Sequence, residues 1–428
     1  MPVVPVVSVP LHYLLQSRWN GAPRWTMVSA SEIAQVEVVY GPFSAEYSGN
    51  AMGGVILIET GIPRAREVHV DTSYFSQSFS AYQFNGTVDG YKTFASFGDT
   101  FGDLSVYLSY NHLENESQPQ TFYYGTPSPE QNPIPATGGI DDFNELGKRS
   151  IVYGDTGVTH NTTDNFKIKL GYDLGHWQAL LNIAYEDRNS LSDSPNSYLR
   201  NSSGETIWRG GVEQSGLTFN IPGSRFGISE TDRRSLSTGL RLKGKLNSRA
   251  RLETNVNQFA ILEDETRSSA HNPRDAAYSA EGSVSDFDNT GWRTAEIKLF
   301  LDDLAIEGLN FISGLRYEAY ELNLRAFRST DYVNASKDEK TSHSGGQTNL
   351  SAFFSQLNWT ITQHWDASIG GRLESWNSRN GYYWDNEQLV KVAVPGQTQD
   401  KFSPKFSVGY KPDDHWIFRY SVAQAYRF

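Results

Sequence analysis

Apolar and polar residues alternate along most of this chain from Glu67 onward, with a period of two residues. Such alternation is typical of β-strands that have one apolar face and one wet face. In the clearest example, residues 165–174, the apolar phase consists of Phe166, Ile168, Leu170, Tyr172 and Leu174. A slip of one residue would move Lys167 and Lys169 into the apolar phase, so the register of this strand is well specified.

The same alternation recurs downstream and indicates about thirteen strands in all. Clear runs cover residues 177–186, 236–246, 309–318, 353–361, 405–411 and 416–422. Weaker runs begin near Glu67, Tyr91, Leu104, Arg251, Trp292 and Trp365.

Short and long connections between these runs alternate along most of the chain. Tight turns are predicted at residues 173–176, 247–248, 362–364 and 411–414. Long polar segments cover residues 115–164, 189–232, 263–291, 323–349 and 377–401. Long loops without structure are unexpected in a compact soluble domain. Alternation instead places all the short turns at one end of a meander and all the long loops at the other, as in an outer-membrane barrel.

The predicted fold is therefore all-β, an antiparallel up-and-down transmembrane β-barrel. We expect it to be incomplete, because a closed antiparallel ring needs an even number of strands and the sequence stops inside a run at Phe428.

Composition agrees with a membrane barrel. Aromatic residues make up 13% of the 428 residues, although the mean hydropathy is −0.51. A wet interior combined with aromatic girdles at two interfaces accounts for both values. No apolar run is long enough for a transmembrane helix. The net charge of −12 and the scattered Lys and Arg residues give no indication of nucleic-acid binding, and the lack of cysteine excludes disulfide scaffolds.

Residues 31–60 precede the first wall strand and differ from the rest of the chain. Two β-branched runs, 36–39 and 55–58, flank a segment rich in Gly and small residues. The runs suit buried strands, and the glycines permit tight turns and close backbone approach. The positions that carry a recognisable motif are Ile33, Val36, Glu37, Val38, Gly41, Pro42, Tyr47, Ala51, Gly53, Gly54, Val55, Ile56, Ile58 and Thr60.

This motif resembles the end of the plug domain of TonB-dependent outer-membrane receptors. Two positions depart from the family pattern: Tyr40 stands where Arg is usual, and Leu57 where Asn is usual. A plug–barrel ion pair that uses this Arg is therefore not expected here. The resemblance divides the chain into residues 1–63, the C-terminal remnant of a plug, and residues 64–428, a partial barrel with long extracellular loops. Glu37, Gly41, Pro42, Tyr47, Gly53 and Gly54 form the structural fingerprint of the plug. Plugged barrels of this family have about 22 strands, so the resemblance implies roughly nine strands more than the thirteen counted.

The resemblance implies energised uptake of a scarce solute across the outer membrane of a Gram-negative bacterium. It implies contact with outer-membrane lipid, a TonB-type periplasmic energy-coupling protein as partner, and a small ligand such as a ferric siderophore or similar chelate. Cobalamin, haem, nickel chelates and oligosaccharides stay open. The start of the sequence has neither a secretory signal nor a coupling box, so we expect both to lie upstream of residue 1.

Catalytic, cofactor-binding and metal-binding motifs are lacking in the sequence, which indicates a protein that is not an enzyme. The predicted inward face carries Lys167, Lys169, Arg241, Lys243, Lys245, Arg316, Arg372, Lys405 and Arg419. We expect these cations to pair with Glu253, Glu318, Glu374 and the plug. A basic wall that attracts anionic chelates is the alternative.

Aromatic residues have two predicted roles. Trp177, Trp359, Trp365, Tyr410 and Trp416 lie beside short turns and are expected to form the periplasmic girdle. Other aromatics lie in the long polar segments, where exposure is unfavourable unless they pack or bind. The candidate ligand contacts are Tyr123, Tyr124, Trp208, Tyr383 and Trp384; packing between loops is the equal alternative.

Two other classes of protein are alternatives. A passive porin or adhesin barrel without energy coupling would have no plug before its first strand, and residues 31–60 argue against it. A soluble carbohydrate-active or propeller-like β-protein would need both strand faces covered, or a recurring blade motif. Neither feature is evident in the sequence.

Overall fold

The computed structural model describes residues 5–6, 25–40, 44–47, 54–63, 65–385 and 390–426. Three strands precede the wall: β1 Pro5–Val6, β2 Ile33–Tyr40 and β3 Gly54–Thr60. The next twelve are β4 Glu67–Ala81, β5 Phe84–Phe101, β6 Leu104–Ser117, β7 Phe122–Tyr124, β8 Ile134–Pro135, β9 Ile140–Phe143, β10 Arg149–Asp155, β11 Thr159–Asp173, β12 Trp177–Ser192, β13 Asn196–Ser197, β14 Gly210–Gln214 and β15 Leu217–Ile221. The last ten are β16 Ser229–Lys245, β17 Ala250–Ser269, β18 Gly282–Phe287, β19 Gly291–Leu301, β20 Leu309–Ser329, β21 Lys340–Thr360, β22 Trp365–Asp385, β23 Val390–Val394, β24 Gln397–Tyr410 and β25 Phe418–Ala423.

One large antiparallel sheet forms the wall. Its strands follow the path β4-β5-β6-β11-β12-β16-β17-β18-β20-β21-β22-β24-β25, with β19 also between β17 and β20. Strands that are neighbours on this path pair antiparallel, which is the meander that the sequence predicts. Within the described residues, β4 and β25 are the two ends of the path. The predicted fold class, an antiparallel wall of about thirteen strands preceded by a plug segment, is confirmed.

The alternation in β11 shows which face of the wall is which. The side chains of Phe166 and Ile168 are 51% and 42% exposed, whereas Lys167 and Lys169 are 7% and 1% exposed. The apolar face is therefore the open outer one, suited to lipid, and the charged face is covered from inside. This is the reverse of a dry two-layer sandwich and agrees with the alternation expected of a membrane barrel.

The long polar segments contain more strand than the sequence predicts. Residues 323–349 were expected to be a loop, but β20 and β21 cover all of them except 330–339. Where both faces of a strand are wet, the strand keeps its pairing without keeping its alternation. The predicted long segment 263–291 begins with three acidic residues, 263–265, which instead lie inside β17.

The predicted tight turns lie where expected, and they fall at one end of the wall. An additional short connection, Tyr82-Gln83, joins β4 to β5 at the opposite end. Tyr82 has φ +53° there, a left-handed conformation that is uncommon outside glycine. The first hairpin is therefore an exception to the alternation of short turns with long loops.

Two small sheets form a loop layer above the wall, defined here as residues 118–158 and 193–228. Strand β10 pairs with β7, β9 and β13, and β14 pairs with β15 and β8. Between these sheets lies an apolar cluster of buried residues: Ala136, Ile151, Tyr153, Leu199, Ile207, Val212, Phe219, Ile221 and Phe226. The long loops thus have a core of their own. Helices in the described residues are all too short and too polar to cross a membrane.

Candidate functional site: plug contacts and the loop layer

The plug segment is a small antiparallel sheet that ends on the wall. Strands β2 and β3 pair with Val36 opposite Ile58 and Val38 opposite Ile56. The chain then passes through residues 61–63 into β4. Thr60, the last residue of β3, is 1% exposed, because the wet face of the wall covers it.

Only part of the predicted fingerprint can be placed. Glu37 is exposed on β2, and Gly54 begins β3, where it pairs with Tyr40. Gly41, Pro42 and Gly53 lie outside the described residues. Tyr47 lies in the connection between β2 and β3 rather than in a wall strand, and burial, reinforced by the neighbouring Glu46 carboxylate, raises the pKa of its hydroxyl to about 12.

Glu32 is the first carboxylate that attaches the plug to the wall. It lies in a 3₁₀ turn with a capping box, in which the Ser29 N–H donates to Glu32 Oε1 at 3.0 Å. That bond fixes the carboxylate in advance. Lys167 forms an ion pair with Glu32 Oε1, and Lys169 Nζ lies 3.9 Å from Oε2. Lys169 also donates to Thr60 Oγ1 at 2.6 Å. Because Ile33 pairs with Thr60, Lys169 contacts the start of β2 and the end of β3 at one end of the plug sheet.

Residues 44–47 form a second attachment point, on the part of the wall formed by β19–β22. The Ala45 N–H donates to Gln356 Oε1 at 2.9 Å, and Ala45 is fully buried against Phe354 and Ile312. The next residue, Glu46, accepts from Lys298 Nζ at 2.6 Å through its carboxylate. Its backbone carbonyl accepts from Arg372 Nη1 at 3.2 Å.

The lumen-facing charges continue as a network within the wall. Glu296 lies 3.3 Å from both Lys298 and Arg316, and Arg316 donates to Glu318 at 2.5 Å. Tyr320 completes this chain with a hydrogen bond to Glu318 at 2.6 Å. Because cations alternate with carboxylates in this network, each positive charge in it lies next to a negative one.

The favoured interpretation of the inward cations is confirmed at four positions. Arg316 pairs with Glu318, and Arg372 pairs with Glu374 at 2.7 Å with both side chains fully buried. Lys167 and Lys169 contact the plug carboxylate described above. These cations are occupied by protein carboxylates and do not form a free basic wall.

Three of the predicted ligand aromatics are held by contacts within the loop layer or with the β4–β5 turn beside it. Tyr123 stacks on Tyr153 with ring centroids 5.9 Å apart, and burial raises the pKa of its hydroxyl to about 12. Trp208 packs edge-on against Phe226 at 5.6 Å. The hydroxyl of Tyr124 is hydrogen-bonded to the Tyr82 hydroxyl at 2.7 Å.

The other two candidates lie apart from the first three, where β22 pairs with β23. Tyr383 is 48% exposed. The ring of Trp384 lies 5.7 Å from Lys340 Nζ. The structure therefore separates the five candidates into two groups, and packing between loops accounts for the group at Tyr123, Tyr124 and Trp208.

A buried carboxylate ties neighbouring loops together. Asp155 is fully buried and accepts from the Gly157 N–H at 2.7 Å, from Asn196 Nδ2 at 3.2 Å and from the Tyr198 hydroxyl at 2.6 Å. Burial, together with the hydrogen bond to Asp155, raises the pKa of Tyr198. The loop layer is thus fixed by both polar and apolar contacts.

Sequence reasoning missed the plug carboxylates Glu32 and Glu46 as contacts with the wall. A signal existed for the first, because Ser29 and Glu32 have the spacing of a capping box. The second has no local signal, since Lys298 lies 252 positions along the chain. In the described part of the chain, His, Asp and Glu side chains form no group of three suited to a metal ion.

Comparisons with known proteins agree with this architecture. Residues 324–428 match the family model described as "TonB dependent receptor-like, beta-barrel". Curated protein sequences give no match. Among solved structures, the fold is similar to the ferric yersiniabactin uptake receptor FyuA from Yersinia pestis, with a TM-score of 0.55 and 16% identity over 91% of this chain and 51% of that one.

Two further solved structures give the same result. The ferripyoverdine receptor of the outer membrane of Pseudomonas aeruginosa has a TM-score of 0.57 and 12% identity over 91% of this chain and 46% of that chain. The siderophore receptor PiuA from Acinetobacter baumannii has a TM-score of 0.56 and 10% identity, over 92% of this chain and 54% of its own. This chain spans about half the length of the receptors that it matches.

The fold and the plug contacts define a class of protein in which a plug segment lies against the inner face of a β-barrel wall. The resemblance to TonB-dependent receptors is thereby confirmed: residues 324–428 match the barrel of that family, and the described chain has the fold of those receptors.

Proposed function

We propose that this chain is part of a TonB-dependent receptor that carries a scarce solute into the cell with energy from a periplasmic partner. The observation that carries the proposal is the plug segment. Its carboxylates at Glu32 and Glu46 engage the wet face of a wall whose opposite face is apolar. A pore that is closed from inside by charge pairs needs work to open, and energy coupling supplies such work.

We further propose that residues 1–63 belong to the plug and 64–428 to the barrel. In this division Glu37, Gly41, Pro42, Tyr47, Gly53 and Gly54 have structural roles in the plug. The wall lies in the outer membrane of a Gram-negative bacterium, with the apolar row of β11 in contact with lipid. The protein has no catalytic activity of its own.

The proposed cargo is a ferric siderophore or a similar metal chelate. The three similar structures named above are described as a ferric yersiniabactin uptake receptor, a ferripyoverdine receptor and a siderophore receptor, which supports this class of cargo. Tyr123, Tyr124, Trp208, Tyr383 and Trp384 are proposed to contact the cargo or to shape its path. A TonB-type protein is the proposed partner on the periplasmic side.

A passive porin or adhesin is the alternative, and the plug contacts disfavour it. A porin keeps an aqueous channel, whereas the wet face here is covered at two separate places, near Lys169 and near Lys298.

Uptake of radiolabelled iron by the source cell tests the proposal. The experiment compares the intact gene with its deletion, in cells with and without a functional TonB protein, at chelate concentrations low enough to limit diffusion. We expect saturable uptake that requires both the gene and TonB. Uptake that needs the gene but continues without TonB would favour the porin, and identical uptake in the deletion would exclude an iron chelate as cargo.

A further inference from the structure

A cavity of about 770 Å³ lies between three loops above the wall. Its lining comes from residue 134, from residues 196–197, 200–201 and 205–210, and from residues 274–276. Small-molecule sites typically have volumes of roughly 300–1,000 Å³, so this cavity has the size of a site for a small organic ligand. It is called here the loop pocket.

Arg200 enters the loop pocket with an uncompensated charge. Its Nη1 atom donates to the carbonyl oxygens of Ser197 and Leu199, both at 2.9 Å. Both partners are neutral, and among the described residues no carboxylate forms an ion pair with this guanidinium. The remaining N–H groups of the fork keep their capacity to bind an anion.

Arg274 lines the same pocket in a similar state. Its Nη2 donates to the Pro195 carbonyl oxygen at 2.5 Å and its Nε to Asn272 Oδ1 at 3.3 Å. The guanidinium lies 4.6 Å from the ring of Trp208, which in turn packs on Phe226. The cation and the ring are therefore positioned before any ligand arrives, which lowers the entropy cost of binding.

The carboxylates of the loop pocket are already engaged. Asp275 accepts from Arg209 Nε at 3.1 Å, and Glu205 accepts from Asn201 Nδ2 at 2.9 Å. Three arginines thus face two carboxylates in a chain whose net charge is −12. A local positive potential on a negative protein raises the local concentration of anions.

We propose that the loop pocket binds a small polycarboxylate, free or as its ferric chelate, between Arg200 and Arg274. A guanidinium group can donate two parallel hydrogen bonds to one carboxylate. The face of Trp208 can stack on a flat portion of the ligand. This proposal rests on the proposed function, uptake of an anionic chelate. It adds the chemical class of ligand that the outermost loops would bind first.

Calorimetric titration of the full chain in detergent tests the site, with citrate and ferric citrate as the two probes. We expect Arg200→Gln and Arg274→Gln each to weaken binding about tenfold or more, as loss of a charge-assisted hydrogen bond predicts. Arg274→Lys should weaken it as well, because an ammonium cannot form the fork. Tighter binding of the ferric form identifies the chelate as the ligand, and equal binding identifies the free polycarboxylate.

Arg328→Gln is the matched control. It also removes one positive charge, but Arg328 does not line the loop pocket and pairs with Glu339 at 3.1 Å. Retained heat-modifiable migration verifies that each variant folds. The inference is overturned if neither probe binds, or if all variants bind alike. Iron uptake measured in parallel separates the two proposals. TonB-dependent uptake without citrate binding would refute the ligand proposed for the loop pocket alone. Citrate binding without such uptake would refute the transport proposal alone.

Discussion

The Nζ atom of Lys298 on the wall lies 2.6 Å from a carboxylate oxygen of Glu46 in the plug segment. The two side chains are 12% and 25% exposed, so water screens this pair only partly. Lys298 keeps Glu296 as a second partner at 3.3 Å. The Lys298–Glu46 ion pair is therefore one of several in a network. Its loss should weaken the attachment of the plug without leaving Lys298 as an isolated buried cation.

Glu46→Ala is expected to lower the free energy of local opening at residues 44–47 by about 1.5–3 kcal/mol, the usual contribution of a hydrogen bond to a charged group. Hydrogen exchange of the backbone amides in this segment measures the change. Glu37→Ala is the control, because Glu37 is an exposed plug carboxylate without an ion pair to a described residue. Equal acceleration of exchange in both variants would mean that this pair does not hold the plug.

The outward row of β11 gives a second prediction. Ile168 is 42% exposed on the face assigned to lipid, and a lysine at mid-depth of a barrel costs about 2–4 kcal/mol. Ile168→Lys should therefore reduce the fraction of chain that folds into lipid vesicles, measured by heat-modifiable migration across a urea series. Thr162→Lys, on the same strand and in the same phase but nearer the extracellular end, should cost about 1 kcal/mol or less. Equal losses for the two variants would contradict the assigned depth.

The wall was predictable from sequence because its physics is local. A strand between lipid and a wet lumen must alternate, and Lys167 and Lys169 between Phe166, Ile168 and Leu170 leave one possible register. The turns were predictable for a similar reason, since residues such as Gly175 and Asn247 favour tight backbone geometry.

The plug contacts and the loop core were not predictable because their partners are far apart in the chain. Glu32 and Lys167 are separated by 135 positions, and no local pattern marks them as a pair. The loop core collects Ile151, Leu199 and Phe226 from segments without periodicity. The extensions of β20 and β21 into residues 323–349 were not predictable for a third reason, since a strand with two wet faces carries no alternation.

The loop core gives a third prediction. Phe226 is fully buried between Tyr123, Tyr153 and Trp208, and truncation of such a phenylalanine costs about 3–5 kcal/mol. Phe226→Ala should make the loop layer sensitive to protease while the wall keeps its heat-modifiable migration, because the two have separate cores. Phe143→Ala is the control in the same layer, where the side chain is 65% exposed. Loss of the wall together with the loops would refute the independence of the loop core.

His343 gives a prediction about pH. Its Nε2 atom lies 2.9 Å from Asn323 Oδ1 and 3.2 Å from the Tyr382 hydroxyl. A strand crosses a bilayer in roughly 9–11 residues, and β21 extends from Lys340 to Thr360, where the next turn follows. In the proposed outer-membrane orientation, His343 therefore lies outside the membrane-spanning part of β21. Burial lowers its pKa, and nearby cations lower it further: Lys340, Lys391 and Arg325.

Acidification should therefore weaken the upper part of the β21–β22 pair. A histidine whose folded-state pKa is depressed contributes stability that is complete above the unfolded pKa of about 6.5 and is lost as the pH falls toward the folded value. Hydrogen exchange at residues 340–347 and 378–385, corrected for its intrinsic pH dependence, should reveal faster opening at about pH 5.5 than at about pH 7.5. His343→Gln should abolish this difference, whereas His364→Gln, in an exposed turn at the opposite end of β21, should retain it. The same pH response in both variants would mean that another group titrates and that His343 is not the cause.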